Sequence, residues 1–208
     1  MEGTNPVNKK LTAALSGGAV LVLALSGCSS SNSNSATDDK LSSWAKQVCD
    51  AVQPQAKKIA DASTAIQKET SDNSAPEQVQ KTDSQAFQAM SDAYQAIGAA
   101  VERAGAPNVA DGATKQKNAV KELNGISTAY AGLKKQVDGL DTKDQAKFAD
   151  GLKGIATQLD KLSKSGNDAL RQLEAGDVGK AMTRQESCKS ASASASTSAS
   201  ASAPATSG

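Results

Sequence analysis

Three cysteines, Cys28, Cys49 and Cys188, carry most of the chemical potential of this 208-residue chain. A thiol serves as nucleophile, metal ligand, acyl acceptor or half of a disulfide, and its surroundings decide which. Histidine is absent. That removes Ser-His and Cys-His nucleophile pairs, His-containing zinc sites and the Glu-x-x-His signature of di-iron bundles. Carboxylates act without histidine in glycosidases, but those of this chain are scattered among lysines. The densest group, Asp138, Asp141 and Asp144, lacks the D-x-D-x-D-G spacing and terminal Glu of an EF-hand loop. Capping and favourable charge at a helix start account for Asp141 and Asp144. The expectation is a non-enzymatic protein with no cofactor and no metal. Tyr94 and Tyr130 remain as candidates, because each lies mid-seam on an apolar stripe and needs a hydroxyl partner if buried. They read either as core aromatics or as the lining of a small ligand pocket between helices.

The setting of Cys28 is specific. Lys9 and Lys10 precede an apolar segment over residues 11–25, the basic and apolar regions of a secretory signal. A bilayer-spanning helix needs about 20 apolar residues, so this segment is too short to be one. Leu25-Ser26-Gly27-Cys28 resembles the lipobox of bacterial lipoproteins. The resemblance implies that residues 1–27 are a cleaved signal peptide and that the Cys28 thiol carries a diacyl lipid. The alternative is an ordinary signal peptide cleaved nearby, leaving a free thiol. Each buried acyl methylene contributes about 0.8 kcal/mol, and stable anchoring takes more than one chain. Acylated Cys28 therefore makes the membrane a partner without any spanning segment.

Removing residues 1–27 takes away Lys9, Lys10 and Glu2 and leaves equal numbers of basic and acidic residues. No basic excess or polybasic run is present, so nucleic acid and anionic lipid surfaces are not expected partners. With Cys28 assigned to lipid, Cys49 and Cys188 form an even pair in an exported, oxidising setting and are expected to bridge. Two separate buried thiols are the other reading. A bridge closes a loop of about 140 residues, which is on the order of 4 to 5 kcal/mol by chain entropy.

The elements that must position these residues are helices. Residues 28–38 hold Cys28 and a Ser/Asn-rich stretch that reads as a flexible linker. Residues 190–208 alternate Ser and Ala without charge and read as a disordered tail, resembling an O-glycosylated stalk or a plain extension. The folded domain is expected over 39–189. Leu41, Trp44, Val48, Val52, Ile59 and Ile66 form one apolar face, with Pro54 expected to kink or split that first helix. A second stripe, Phe87, Met90, Tyr94, Ile97, Val101 and Ala104, advances by alternate threes and fours and ends at Gly105 and Pro107. A third begins near Pro107 and follows Val120, Leu123, Tyr130, Leu133, Val137 and Leu140, and a fourth follows Phe148, Leu152, Ile155, Leu159, Leu162, Leu170 and Leu173. Ser74 with Glu77, and Thr142 with Gln145, fit the capping box. Gly176 closes the fourth helix, and Asp177 starts a short segment toward Cys188. No alternating run argues for a strand.

These signals predict an all-α protein, an antiparallel up-down four-helix bundle. In that topology the start of the first helix and the end of the fourth meet, which brings Cys49 and Cys188 together independently of the cysteine count. The core is thin: one Trp, two Tyr and two Phe. Gly125, Gly132 and Gly139 recur on the third helix, and Gly151, Gly154 and Gly166 on the fourth. They read as a compositional by-product or as a groove for close helix approach or a ligand.

Lipobox, polar spacer, Ala/Gly-rich helices, one late disulfide and a Ser/Ala tail together resemble the small secreted lipoproteins of actinomycete-type Gram-positive bacteria. The resemblance implies the extracytoplasmic face of the cell membrane, with room for a released, secreted fraction, and leaves activity open. The function expected is that of a structural or protein-interaction component of the envelope, meeting an envelope protein partner. The alternative is a helical bundle that binds a small ligand near Tyr94 and Tyr130.

Overall fold

The structure, a computed structural model, describes residues 32–71, 74–165 and 168–200. The expected signal peptide and Cys28 lie outside the described residues. What is described is all-helical, with no strand. The elements are α1 (Asn32–Ser71), α2 (Pro76–Ala104), α3 (Gly112–Asp138), α4 (Gln145–Ser165), α5 (Asp168–Glu174), α6 (Asp177–Thr183) and α7 (Glu186–Ser200).

Adjacent long helices run antiparallel, as the pairing of their residues shows. Gln80 of α2 donates to the Val137 carbonyl, Ser91 to that of Ser127, and Gln116 of α3 to that of Val101, so one chain descends as the other rises. Trp44 near the start of α1 donates to the Gly105 carbonyl just past the end of α2. Glu122 of α3 accepts the Ala169 amide of α5, and Gln136 meets Gln158 of α4, again in opposite directions. Ser187 and Cys188 sit beside Asp50 and Cys49, whereas Gln185 reaches Ser42, so α7 advances in the same sense as α1.

The apolar stripes supply two core clusters. One gathers Leu41, Trp44, Val48, Ile97, Val101, Leu123, Leu173 and Val178 from α1, α2, α3, α5 and α6. The other gathers Ala62, Phe87, Met90, Leu133, Val137 and Ile155 from α1, α2, α3 and α4. Burying a Leu or Phe side chain contributes about 1.5 to 3 kcal/mol. The first cluster draws on five helices and lies at the end where α1 starts. The second is built around Phe87, with alanines at several seam positions, and α4 leans chiefly on α3.

Several local expectations are corrected. Of the two outcomes expected at Pro54, a kink or a split, the split does not occur: α1 runs through it as one helix. Pro54 is exposed, so the Asp50 carbonyl that loses its amide donor faces water, while Val48, Val52 and Ile59 hold the helix to its neighbours on both sides. α2 is capped by Ala75 in an extended conformation with Pro76 in its first turn, so Ser74 does not cap it. α4 is capped by Asp144, whose side chain accepts the Lys147 amide at 3.1 Å and whose carbonyl accepts that of Phe148, and not by Thr142. α3 starts at Gly112, five residues later than Pro107, after a turn with Asp111 at φ 57°. Gly176 at φ 69° opens α6, whereas α5 already ends at Glu174.

The ends of the domain also differ from expectation. α1 begins at Asn32, inside the stretch read as linker, and α7 extends to Ser200, inside the stretch read as tail. Alanine is the best helix former, Ala191 is buried, and the Ser190 and Ser192 hydroxyls donate to the carbonyls of Glu186 and Cys188 four residues back.

The glycines divide by what surrounds them. A Cβ at Gly125, Gly132 or Gly154 meets nothing within 4 Å, so these three form no close-approach groove. At Gly112 it would stand 2.1 Å from the Pro107 carbonyl oxygen, a true close approach. Gly166 lies outside the described residues. Gly125→Ala with Gly132→Ala is expected to raise stability by about 1 to 2 kcal/mol in urea titration, while Gly112→Ala lowers it. A loss of stability in the double variant would show that these positions contact something.

Candidate functional site

The end of the molecule where α1 starts is the most densely built. Trp44 is buried, and its indole Nε1 donates to the Gly105 carbonyl at 2.8 Å, tying α1 to the loop after α2. Gly105 has φ 74°, which glycine adopts without strain. One turn further along α1, Cys49 is fully buried and bonded to Cys188, with the Cα atoms 4.9 Å apart. Asp50 beside it accepts from Ser187 of α7 and pairs with Lys46 at 2.6 Å. The Lys46 hydrogen bond, with that of Ser187, holds the Asp50 carboxyl below its ordinary range.

Against this bridge lies a groove of about 520 Å³ lined by Glu174, Met182, Thr183, Cys188, Lys189 and Ser192. Met182 and the disulfide give it an apolar floor, and Glu174 and Lys189 give it one charge of each sign. Lys189 is turned to Glu186 at 2.6 Å, so Glu174 is the charge left at the groove. The surrounding walls push its carboxyl up by desolvation. A groove of this chemistry accepts a small, partly apolar molecule with a cationic or hydrogen-donating group. No sequence signal pointed to it, because its lining comes from three short segments brought together by core packing and the bridge.

The tyrosines of the sequence reading do come together. Tyr94 of α2 and Tyr130 of α3 stack with centroids 5.6 Å apart and planes 8° from parallel, and Phe87 meets Tyr130 at 6.2 Å. Tyr94 packs on the first core cluster and Tyr130 on the second, so the pair joins the two. Desolvation raises both hydroxyls, that of Tyr130 to about 12 with a contribution from Tyr94. Both therefore stay neutral donors at physiological pH.

The acidic cluster is dispersed among separate partners. Asp138 pairs with Lys134 at 2.5 Å, Asp141 accepts the Lys143 amide at 3.0 Å, and Asp144 caps α4. Among the described residues, no group of three or more metal-ligating side chains is gathered.

The sequence reading passed over one buried acid. Asp83 lies one seam step before Phe87 on α2 and is 6 % exposed, with its Oδ1 lacking any partner. Desolvation, with the nearby Glu69 of α1, raises its carboxyl to about 6. The signal was present: extending the alternating steps of the second stripe backward by four lands on Asp83.

Reducing the bridge, or replacing both cysteines by Ser, is expected to cost about 2 to 4 kcal/mol, given the 139-residue separation. Urea titration with and without reductant measures it, and equal midpoints would contradict it. Comparison of the chain with protein-family models, with curated proteins and with solved structures finds no match.

Proposed function

We propose that the chain is a lipid-anchored envelope protein on the extracytoplasmic face of the membrane, working by protein contact without catalysis. The observation that carries this reading is the short distance from anchor to fold. Cys28, in its lipobox-like setting, lies four residues before α1 begins at Asn32. Four residues of chain span at most about 14 Å. A diacylated Cys28 thus holds the start of α1, and with it the disulfide end, close to the bilayer.

The rest of the arrangement supports presentation of a surface away from the membrane. We read α1, α2, α3 and the α4–α5 pair as the four rods of an up-down bundle, with α6 and α7 added at the stapled end. α1 has 40 residues, about 60 Å at 1.5 Å per residue. The end of α1, the start of α2 and the turn between α3 and α4 then stand farthest out, where an envelope partner meets them.

Crosslinking in intact cells with tagged protein, followed by mass spectrometry of the captured material, tests the proposal. One reproducible membrane or wall protein is expected, and Cys28→Ser is expected to leave a chain that carries no acyl mass and keeps residues 1–27. Intact mass that is the same in the Cys28→Ser variant and the unaltered protein would overturn the anchoring.

The groove beside Cys188 favours a second reading, a ligand-binding bundle. That reading places the ligand at Glu174 and Met182 instead of at Tyr94 and Tyr130. A rise in melting temperature with small organic cations, lost in Glu174→Gln, supports it; an unchanged temperature across such a panel removes it.

A further inference from the structure

The buried carboxylate of Asp83 sits where the bundle seam calls for an apolar side chain. Residues 83, 87, 90, 94, 97 and 101 are successive seam positions of α2, and all but the first are apolar or aromatic. The two buried serines of this core are matched: Ser91 donates to the Ser127 carbonyl at 2.9 Å and meets its hydroxyl at 3.2 Å. Asp83 Oδ1 has no partner. An ionised carboxylate in such a place is costly unless paired, and protonation relieves the cost.

Among the described residues, the charged group that acts on Asp83 has the same sign. On α1 the facing group is Glu69, a like charge, with Lys68 exposed beside it. On α2 itself, Glu77 and Lys81 are exposed. At the same end of α3, Lys134 is engaged with Asp138, which also accepts from Ser84. At the start of α4, Lys147 is engaged with Asp144 at 3.0 Å, while Phe148 and Ile155 are buried.

We propose that Asp83 makes the α1–α2 end of the bundle a proton-operated latch: tight when its carboxyl is neutral, and prone to local opening when it is ionised. The location suits this. Asp83 lies beside the core cluster whose fully buried large side chains are Phe87 and Val137 and that α4 covers mainly from α3. The disulfide is at Cys49, 20 residues before Glu69 and so about 30 Å along α1, too far to restrain this end. Opening exposes Phe87, Met90, Leu133 and Tyr130, apolar surface that a partner can cover.

The direction in pH follows from the two states. The unfolded carboxyl has its ordinary value of 3.8 and the folded one about 6, so the folded state holds the extra proton between these values. Stability of this end falls as pH rises through that window and levels off above it. Asp50, Asp138 and Asp144 have lowered values, so their contributions are lost only below 3.8. Glu174, raised from 4.5, acts in the same sense as Asp83 but at the stapled end.

Hydrogen exchange read peptide by peptide, corrected for intrinsic rates, separates the two ends. Between pH 5 and pH 7.5, opening over residues 62–90 and 130–159 is expected to rise by roughly tenfold, with little change over residues 41–52. Asp83→Asn is expected to abolish that rise, and Glu69→Gln to move its midpoint lower while keeping it. Glu174→Gln leaves it unchanged. A rise that persists in Asp83→Asn, or exchange over these peptides that is independent of pH in the unaltered protein, overturns the proposal. Should Asp83→Asn fail to fold, an unmoved midpoint in Glu69→Gln overturns it as well.

Discussion

The covalent bond between Cys49 and Cys188 is the constraint on which the end of the molecule where α1 starts depends. α5, α6 and α7 have 7, 7 and 15 residues, lengths at which an isolated helix is marginal in water. The bond fixes the last of them to the first long helix. Val178 and Ala181 are then held against Leu41, Trp44 and Val48, and Leu173 against the same cluster. A chain with only five aromatic side chains thereby gains in chain entropy what its thin core lacks in apolar area. The groove beside Cys188 is a by-product of the same closure.

The two ends of the molecule consequently differ in kind. At the stapled end, a tryptophan hydrogen bond, a disulfide and five helices overlap within one cluster. At the other, Phe87, Met90, Leu133, Val137, Ile155 and alanines, drawn from four helices, pack beside a buried carboxylate oxygen of Asp83 that has no partner. Natural proteins place deformable elements where local stability is lowest. The stacked Tyr94 and Tyr130 lie at the boundary between the two regimes.

Much of this was legible in the residues because helical periodicity is a local signal. The stripe from Phe87 to Ala104 and its stop at Gly105 follow from spacing and from one glycine. The meeting of Cys49 and Cys188 was legible from two independent lines, cysteine parity and antiparallel topology. Helix starts were read less well, since Ser74 and Thr142 match a capping pattern that Pro76 and Asp144 pre-empt. Pro54 was read from its intrinsic cost, but packing on either side outweighs a single lost hydrogen bond at an exposed turn. The Ser/Ala run was read as too polar to order, yet alanine propensity and contact with α1 carry it into α7. The groove at Glu174 was not legible at all, because it arises from tertiary closure. Asp83 was legible only by asking what stood one step before the stripe.

We propose a chain held at one end by lipid on Cys28 and closed by the bond between Cys49 and Cys188. Intact-mass spectrometry of protein extracted from membranes by detergent, without reductant and with thiols blocked, tests both halves in one measurement. The account expects a chain beginning at Cys28 that carries acyl mass and takes up no thiol-blocking reagent. A chain beginning elsewhere with unmodified cysteine, or one that takes up two blocking groups, contradicts it.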